Sequence, residues 1–296
     1  MFIKITYLDF ILKSNLEISV KSSIQIHETA FVTSTYRSRK EALSKDIYAK
    51  LWNNAQTDAW IEEYLRAVSE YEVFTHCLRN RYFFETIKRL FEQGKIEYLI
   101  NFGCGFSMYP FLLNEDLIHI EIDKEDVIEY KKERVKKWMN NGTLPSRKIH
   151  YVSQDFNKEN EELISKIISI TLQKPSFILI EGVLFFISQS DIDRLMQTFL
   201  KLQLNEGFVG SVSFIPDIEN TQPFRQLIDF FEQKVVLNQK FNYQTLPTSY
   251  YENLDGYELI EHEDYVSTSK KYAPEQAIED ENSILNEHLY LLKRTI

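Results

Sequence analysis

The chain has few of the residues that mark a secreted, disulfide-bonded protein or a cysteine-based metal or redox site. Its 296 residues include two cysteines, Cys77 and Cys104, whose spacing matches no zinc or redox motif. The apolar N-terminal run is interrupted by Lys4, Asp9 and Lys13, so it lacks the clean apolar core of a secretory signal. We therefore expect a reducing compartment, the cytoplasm, and no bound metal.

Long apolar runs and an excess of positive charge are also absent. No stretch of about 18 uncharged apolar residues occurs, so no membrane span is expected. Lysine and arginine number 34 against 44 aspartates and glutamates, a formal charge of −10, whereas a nucleic-acid partner requires clustered cations. Hydrophobic residues make up 44% of the chain and charged residues 26%, which indicates a globular protein with a substantial core.

The sequence changes character near Gly94. Before it, residues 45 to about 91 contain no proline and no glycine and are predicted to be helical. We interpret residues 1–93 as an N-terminal arm or short strands (residues 1–30) and a helical cap, and residues 94–296 as the core of the same structural unit. The clearest helical stripe of the cap consists of Arg79, Phe83, Ile87, Leu90 and Phe91.

After Gly94, short apolar runs alternate with helical patterns. Helices are predicted at 124–138 and 191–202, and Ser190 followed by Asp193 resembles a capping box for the second. Such alternation predicts an α/β fold with a mostly parallel sheet of seven strands and helices on both faces. The five predicted inner strands are 97–102, 117–123, 149–153, 176–180 and 208–214, and two later strands that could close the sheet edge are about 257–262 and 289–293.

The segment 216–255 lies between the fifth and sixth predicted strands and is too long for a simple connection. Long insertions in compact domains are often lids or binding loops. Its aromatic side chains could form a lid over an apolar ligand, or they could pack the segment onto the sheet. These side chains are Phe224, Phe230, Phe231, Phe241, Tyr243, Tyr250 and Tyr251.

A Gly-x-Gly turn at Gly103 and Gly105 follows the first strand of the core. Two glycines let the backbone bend sharply and approach a ligand closely, and in open α/β sheets nucleotides bind at the carboxyl ends of the strands. The third glycine of a dinucleotide fingerprint would fall at Met108. This residue disfavours a pyrophosphate and leaves a nucleoside cofactor, although a Gly-x-Gly by itself can be only a tight loop.

Carboxylates follow the next three strands. Asp123 ends the second, where it can accept hydrogen bonds from both ribose hydroxyls or cap the following helix; Glu121, on the same face, is the alternative acid. Asp155, after the third strand, can accept from an adenine amino group, with Phe156 beside the ring. Glu181 ends the fourth, apolar strand, where a carboxylate needs a cation or a donor beside it.

Arg79 lies on the apolar stripe of its helix, whereas Arg81 is turned well away from it. A guanidinium on a buried face needs an anion. Arg79 could meet the carboxylate of a cofactor or pair with Glu181, or it could snorkel to solvent at the helix end.

In this order the residues resemble the leucine carboxyl methyltransferase-like family of S-adenosylmethionine-dependent O-methyltransferases, over residues 31–188. The family includes enzymes that methylate the C-terminal carboxylate of a phosphatase subunit and bacterial O-methyltransferases of polyketide pathways. The pieces that carry the resemblance are Tyr36-Arg37, Lys45-Asp46-Ile47-Tyr48-Ala49, Leu78-Arg79-Asn80-Arg81-Tyr82, Phe102-Gly103-Cys104-Gly105-Phe106, Ile120-Glu121-Ile122-Asp123, Asp155-Phe156 and Glu181-Gly182-Val183-Leu184.

The resemblance implies a class I methyltransferase fold, with a Rossmann-like sheet capped by N-terminal helices, and S-adenosylmethionine as the cofactor. It implies that Arg37 and Arg79 hold the cofactor's carboxylate, with Arg39 as the alternative to Arg37. The turn at Gly103 and Gly105 would hold the methionyl portion.

By the same resemblance, Asp123 takes the ribose and Asp155 the adenine amino group, with Phe156 beside the adenine. Glu181 lies in the pocket, near the transferable methyl group or the cofactor amine.

Two departures from the family pattern stand out. The family commonly continues its glycine turn with Asp-Thr-Arg, whereas this chain has Ser107-Met108-Tyr109. The tyrosine that follows the family's Glu-Gly step is Phe186 here, which removes a hydroxyl that could contact the acceptor.

We therefore predict an O-methyltransferase that acts on a carboxylate or hydroxyl of a small or carrier-bound metabolite and releases S-adenosylhomocysteine. A protein C-terminus is the alternative acceptor, and a catalytically silent cofactor-binding protein and an NAD-dependent oxidoreductase are the rival classes. A carboxylate is placed slightly ahead of a hydroxyl, because it needs no general base and the sequence offers no convincing one. The histidines weighed for that role are His27, His119, His262 and His288.

Overall fold

The structure, a computed structural model, describes residues 29–158, 160–203, 206–235 and 240–295. The expected N-terminal arm lies almost entirely outside the described residues, and so does His27. None of the helices within these ranges is long and apolar enough to cross a bilayer.

The N-terminal cap is helical, as predicted, but it is broken into several pieces. Lys45 has a left-handed φ of 60° and separates the first helices from a 3-10 turn. Asn54 then caps the next helix by accepting a hydrogen bond from Thr57 N–H. The elements are α1 Thr29–Arg39, α2 Glu41–Ser44, a 3-10 turn Ala49–Trp52, α3 Ala55–Ala67 and α4 Glu72–Glu92.

The core is one seven-stranded sheet with the order β3-β2-β1-β4-β5-β7-β6. β1 to β5 are parallel, and β7 runs antiparallel between β5 and the edge strand β6. The predicted mostly parallel sheet is confirmed, and so is its closure by two late strands. The strands are β1 Tyr98–Phe102, β2 Ile118–Asp123, β3 Ile149–Ser153, β4 Ser176–Ile180, β5 Gly207–Ser213, β6 Tyr257–Asp264 and β7 His288–Arg294.

Helices between the strands cover both faces of this sheet. The N-cap of α8 (Gln189–Leu202) corrects one prediction. Ser188, not Ser190, is the N-cap, because its backbone is extended and its Oγ accepts from Asp191 N–H, whereas Ser190 is already helical. The helices are α5 Tyr109–Leu112, α6 Glu125–Asn140, α7 Glu161–Thr171, α8 Gln189–Leu202, α9 Gln222–Phe230, α10 Thr248–Glu252 and α11 Tyr265–Tyr272.

Alternate residues of the central strands feed two separate hydrophobic layers. Ile100 and Ile178 pack with α7 and α8 on one face, while Leu99 and Phe177 pack with α4 on the other. Phe83, Ile87 and Leu90 of the predicted stripe are buried in the second layer. Burial of each such side chain stabilises the fold by about 1.5–3 kcal/mol, so α4 is fixed firmly on this face of the sheet.

The insertion between β5 and β6 contains a 3-10 turn Pro216–Asn220, α9, a π-turn Phe231–Val235 and α10. Some of its aromatic side chains pack on the sheet and on the cap. Tyr251 stacks on Tyr290 of β7 with ring centroids 3.8 Å apart, and Phe230 contacts Tyr64 of α3 at 5.1 Å. The interpretation that these side chains pack the segment onto the sheet thus holds for Tyr251, whereas Phe230 packs on the cap.

Candidate active site

The ends of the parallel strands meet around the glycine turn. Gly103 and Gly105 have φ of 72° and 42°, in the left-handed region where side chains are strained. A Cβ at Gly103 would collide with Cγ2 of Val183 in the loop after β4, and one at Gly105 would lie 3.3 Å from Cβ of Ala30 on α1. The turn is therefore held closely between the sheet and the cap.

Asp123, at the end of β2, is joined to this turn. Its Oδ2 accepts a hydrogen bond from Gly105 N–H and its Oδ1 accepts one from Lys124 N–H, each at 2.8 Å. Burial raises the pKa of this carboxyl, while the two N–H donors and Lys131 oppose the rise. The N-cap of α6 is Lys124, so the capping alternative for Asp123 is wrong. Each carboxylate oxygen keeps a lone pair for a ligand hydroxyl.

Glu121, the alternative acid, lies in the interior beneath the turn. It is fully buried, and its Oε2 forms an ion pair with Nζ of Lys131 on α6. The same Nζ lies 3.5 Å from the carbonyl oxygen of Cys104. Because a buried ion pair is costly to separate, Glu121 supports the turn from below and does not face a ligand.

Arg79 occupies the centre of a buried ionic cluster. Its Nη1 donates to Glu287 Oε2 at 2.6 Å, and its Nε lies 3.7 Å from Glu181 Oε1. Burial disfavours the charge, but Glu287, Tyr265 and Glu181 raise the pKa of Arg79 overall. The side chain is buried between carboxylates, so the snorkelling alternative is wrong. Its Nη2 points past Gly182, 3.9 Å from where a Cβ of that residue would lie.

Tyr109 and Tyr265 complete the ionic cluster. Tyr109 OH donates to Glu181 Oε2 at 3.2 Å, and Tyr265 OH donates to Glu287 Oε2. Burial raises the pKa of both phenols and of the Glu181 carboxyl. Tyr109 ends the Ser107-Met108-Tyr109 step that follows the glycine turn, so a neutral phenol, not a cation, meets Glu181 at this point of the cluster.

Arg37 approaches the glycine turn from α1. Its Nη2 donates to the carbonyl oxygen of Phe106 at 3.0 Å and its Nε donates to Asp46 at 2.9 Å. Arg39 instead pairs with Glu62 at the surface, at 2.7 Å. Of the two candidates, Arg37 is therefore the one beside the turn.

The end of β3 lies next to that of β2, where Gln154 N–H donates to the Asp123 carbonyl at 2.8 Å. The Asp155 side chain is partly exposed at this edge. Phe156 is buried, with its ring centroid 6.0 Å from that of Phe102. The geometry permits an adenine contact at Asp155, and the adenine roles of Asp155 and Phe156 stay predictions.

Sequence reasoning missed several side chains around Arg79. Glu287 directly precedes β7, and since an antiparallel strand starts where its parallel neighbours end, topology could have revealed it. No sequence signal marks Glu72 and His76, which share a face of α4 with Arg79. The missed residues are Glu287, Tyr265, Glu72 and His76.

The three described histidine candidates lie elsewhere. His119 is buried on β2, and burial lowers its pKa to about 3. His262 and His288 face each other across β6 and β7, with ring nitrogens 2.8 Å apart. Within the described ranges, no three His, Cys, Asp or Glu side chains are grouped so that they could hold a metal ion.

The chain is similar to one protein family and to several solved structures. Residues 29–200 match the leucine carboxyl methyltransferase family, whereas no curated protein sequence matches significantly. Among solved structures, the chain is similar to a protein of Thermobifida fusca assigned as a methyltransferase, with 12% identity, 94% of this chain and 97% of that chain covered and a TM-score of 0.65. The chain is also similar to a DUF574-family protein of Streptomyces avermitilis. The two are 11% identical, 90% of this chain and 97% of that chain are covered, and the TM-score is 0.62.

A third similar structure is magnesium protoporphyrin IX methyltransferase of Synechocystis, solved with S-adenosylhomocysteine bound. It is 8% identical, 89% of this chain and 100% of that chain are covered, and the TM-score is 0.50. At these identities the likeness is one of fold.

Proposed function

Because this chain belongs to the leucine carboxyl methyltransferase family, we propose that it transfers a methyl group from S-adenosylmethionine to an oxygen atom of a small or carrier-bound acceptor, with S-adenosylhomocysteine as the product. The observation that carries the proposal is the link between two predicted cofactor residues, Asp123 and Gly105, beside the buried Arg79–Glu181 pair. We expect the cytoplasm as its compartment, since both cysteines are free thiols.

The side chains present fit this cofactor. Val183 and Ala30 fill the space that the two glycines leave on the side of a Cβ, whereas Asp123 keeps lone pairs for ribose hydroxyls beyond the two N–H groups that it binds. Arg79 has five N–H donors, of which those on Nη2 face the Gly182 loop and suit a carboxylate. Glu181 is an anion within the same cluster and suits an ammonium group.

S-adenosylmethionine, when bound, supplies an electrophilic methyl group on a sulfonium sulfur. The chain's own residues act by positioning: Asp123 fixes the nucleoside end, while the glycine turn, Arg79 and Glu181 fix the methionyl end. Holding a nucleophile and an electrophile in line removes most of the entropic barrier to displacement. The buried surroundings of the Arg79 cluster exclude water, which strengthens these charge contacts.

An aromatic surface suits an apolar acceptor. Phe185 and Phe186, in the loop after β4, contact Phe231 and Phe241 of the insertion at 5.6–6.4 Å between ring centroids. A cleft of about 530 Å³ lies beside Phe186, Phe241 and Lys240, within the size range of small-molecule sites. Its lining also includes Ser188, Asn242 and Gln244, so the cleft is partly polar. We infer that the insertion covers the acceptor.

An NAD-dependent oxidoreductase is the weaker alternative. Met108 is buried, and its sulfur accepts a hydrogen bond from Trp52 Nε1 at 3.2 Å. The helix after the turn has only four residues, so it offers little dipole for a pyrophosphate.

Calorimetry of the whole chain with S-adenosylmethionine, S-adenosylhomocysteine and NAD tests the cofactor. We expect both adenosyl compounds to bind and NAD not to bind; binding of NAD alone would overturn the proposal. Incubation with methyl-labelled S-adenosylmethionine and a panel of acids and phenols then tests the chemistry. Label on an ester is released by alkali as methanol and label on an ether is retained, whereas binding without transfer across the panel favours a silent cofactor-binding protein.

A further inference from the structure

Glu72, the first residue of α4, has a carboxylate oxygen without a partner. The residue is 3% exposed. Its Oε2 accepts a hydrogen bond from Tyr64 OH at 3.2 Å, while its Oε1 is buried and has no hydrogen-bond partner among the described residues. A buried acceptor left unpaired destabilises a fold by about 1–3 kcal/mol. The same is true of Glu121 Oε1, so it is the position of Glu72, beside Tyr64 and the insertion, that points to a ligand.

Glu72 shares a helix face with the ionic cluster. His76 and Arg79 follow it at i+4 and i+7, which places all three on one side of α4. The separation from Glu72 to Arg79 along the axis is roughly 10 Å at about 1.5 Å per residue. A group held at Arg79 and a second group held at Glu72 therefore lie on the same side of α4, about two helical turns apart.

The surroundings of Glu72 are aromatic. Tyr64 contacts Tyr36 of α1 at 6.4 Å and Trp60 at 6.0 Å, and Phe230 of the insertion packs on Tyr64 at 5.1 Å. Tyr36 OH is a second buried polar atom with no hydrogen-bond partner in the described part of the chain. Two unpaired polar atoms thus lie beside the surface that the insertion covers.

The charges around Glu72 disfavour an anionic ligand when Glu72 is ionised. Burial and the nearby Glu287 carboxylate raise the pKa of Glu72 to about 8, and the Tyr64 hydrogen bond and Arg79 oppose that rise. Burial lowers the pKa of His76, so its ring is neutral. The titratable and charged groups that face Glu72 are Tyr36, Tyr64, His76, Arg79, Tyr265 and Glu287.

We propose that Glu72 contacts the methyl acceptor and takes its proton, and that the acceptor is a hydroxyl on an aromatic skeleton. This inference rests on the proposed function and narrows its acceptor from carboxylate or hydroxyl to hydroxyl. Glu72 Oε1 accepts a hydrogen bond from the acceptor O–H. As the new C–O bond forms and the S–C bond breaks, the hydroxyl proton passes to the Glu72 carboxylate, and the electron pair of the S–C bond stays on sulfur.

A matched pair of probes tests this assignment: 2-naphthol and 2-naphthoate, titrated calorimetrically in the presence of S-adenosylhomocysteine from pH 6 to pH 9. Above the Glu72 pKa the carboxylate accepts from the phenol and repels the carboxylate, so the wild type should prefer 2-naphthol at least about tenfold. Below that pKa Glu72 is protonated and the preference should fall towards unity.

The Glu72→Gln variant should bind S-adenosylhomocysteine as the wild type does and lose the pH dependence of the preference. Glu62→Gln, an exposed carboxyl-to-amide change on α3, is the control and should retain it. Tyr64→Phe keeps the Glu72 carboxylate but removes the hydroxyl that donates a hydrogen bond to it, so the pH at which the preference for 2-naphthol is half complete should rise. This variant decides the question if Glu72→Gln does not fold.

Preference for 2-naphthoate at pH 9, failure of both probes to bind, or an unchanged pH dependence in Glu72→Gln would overturn the assignment. An unmoved midpoint in Tyr64→Phe would do the same. Failure of S-adenosylhomocysteine to bind the wild type contradicts instead the proposed function itself, so the two failures are distinguishable.

Discussion

Asp123 Oδ2 accepts the N–H of Gly105 across 2.8 Å, which joins the end of β2 to the turn that follows β1. The carboxylate that is expected to bind the ribose therefore also shapes the loop that is expected to hold the methionyl portion. Changes at Asp123 affect the ligand and the protein backbone together.

We predict that Asp123→Ala weakens S-adenosylhomocysteine binding at least about 100-fold and destabilises the fold by about 1–3 kcal/mol, because two N–H donors lose their acceptor. Calorimetry and urea unfolding measure the two effects. Asp116→Ala, at the opposite end of β2 and exposed, is the control. Unchanged affinity in Asp123→Ala would remove the ribose assignment.

Arg79→Met should weaken S-adenosylhomocysteine binding at least about tenfold, because the cluster loses its cation and the carboxyls of Glu181 and Glu287 lose their ion-pair partner. Arg81→Met is the matched control, since Arg81 lies on the same helix and pairs with Glu85 at 2.7 Å, away from the cluster. If both variants bind equally well, Arg79 has only a structural role.

The Gly103→Ala variant should separate backbone strain from collision. A left-handed φ for alanine costs about 1–2 kcal/mol, and Cβ contact with Val183 should add about 1–3 kcal/mol. Gly94→Ala carries a similar φ of 67° with no neighbour within 4 Å, so it measures strain alone. Urea unfolding of both variants gives the difference, and equal destabilisation would contradict the close approach of Val183.

His119→Leu should change how stability depends on pH. Burial holds the pKa of His119 at about 3 in the folded chain, below its value of about 6.5 in the unfolded chain. The free energy of unfolding is therefore highest above pH 6.5, where the imidazole is neutral in both states, and it falls as the pH falls. Between pH 7 and pH 5 the wild type should lose about 2 kcal/mol more than His119→Leu. His150→Gln changes a less buried imidazole, so it should have a smaller effect on the stability lost between pH 7 and pH 5. Parallel pH profiles of the free energy of unfolding for the wild type and His119→Leu would refute the prediction.

The sequence was informative where physical constraints are local. Strand ends were placed to within a residue or two because apolar runs stop where carboxylates and glycines begin, as at Asp123 and Gly103. The sequence cannot place the N-cap of α8, because Ser188 and Ser190 have the same chemistry and only the extended backbone at Ser188 distinguishes them.

The centre of the site could not be assembled in that way. Glu287 pairs with Arg79 across 208 positions of the chain, and no local pattern couples residues so far apart. Glu72 begins an amphipathic helix, where acids are common. It is buried next to Tyr64 of the preceding helix, and Tyr64 in turn packs on Phe230 of the insertion. Long-range packing, rather than local propensity, decides these partners.

The position of β7 has a consequence for biosynthesis. β6 leaves the ribosome before β7, yet its sheet neighbour is β7, which must enter between β5 and β6. Until then the nascent chain presents two unpaired strand edges, a hazard for aggregation. Since Glu287 directly precedes β7, Arg79 gains its ion pair with Glu287 only when β7 is inserted, and the ionic cluster is therefore completed late in folding.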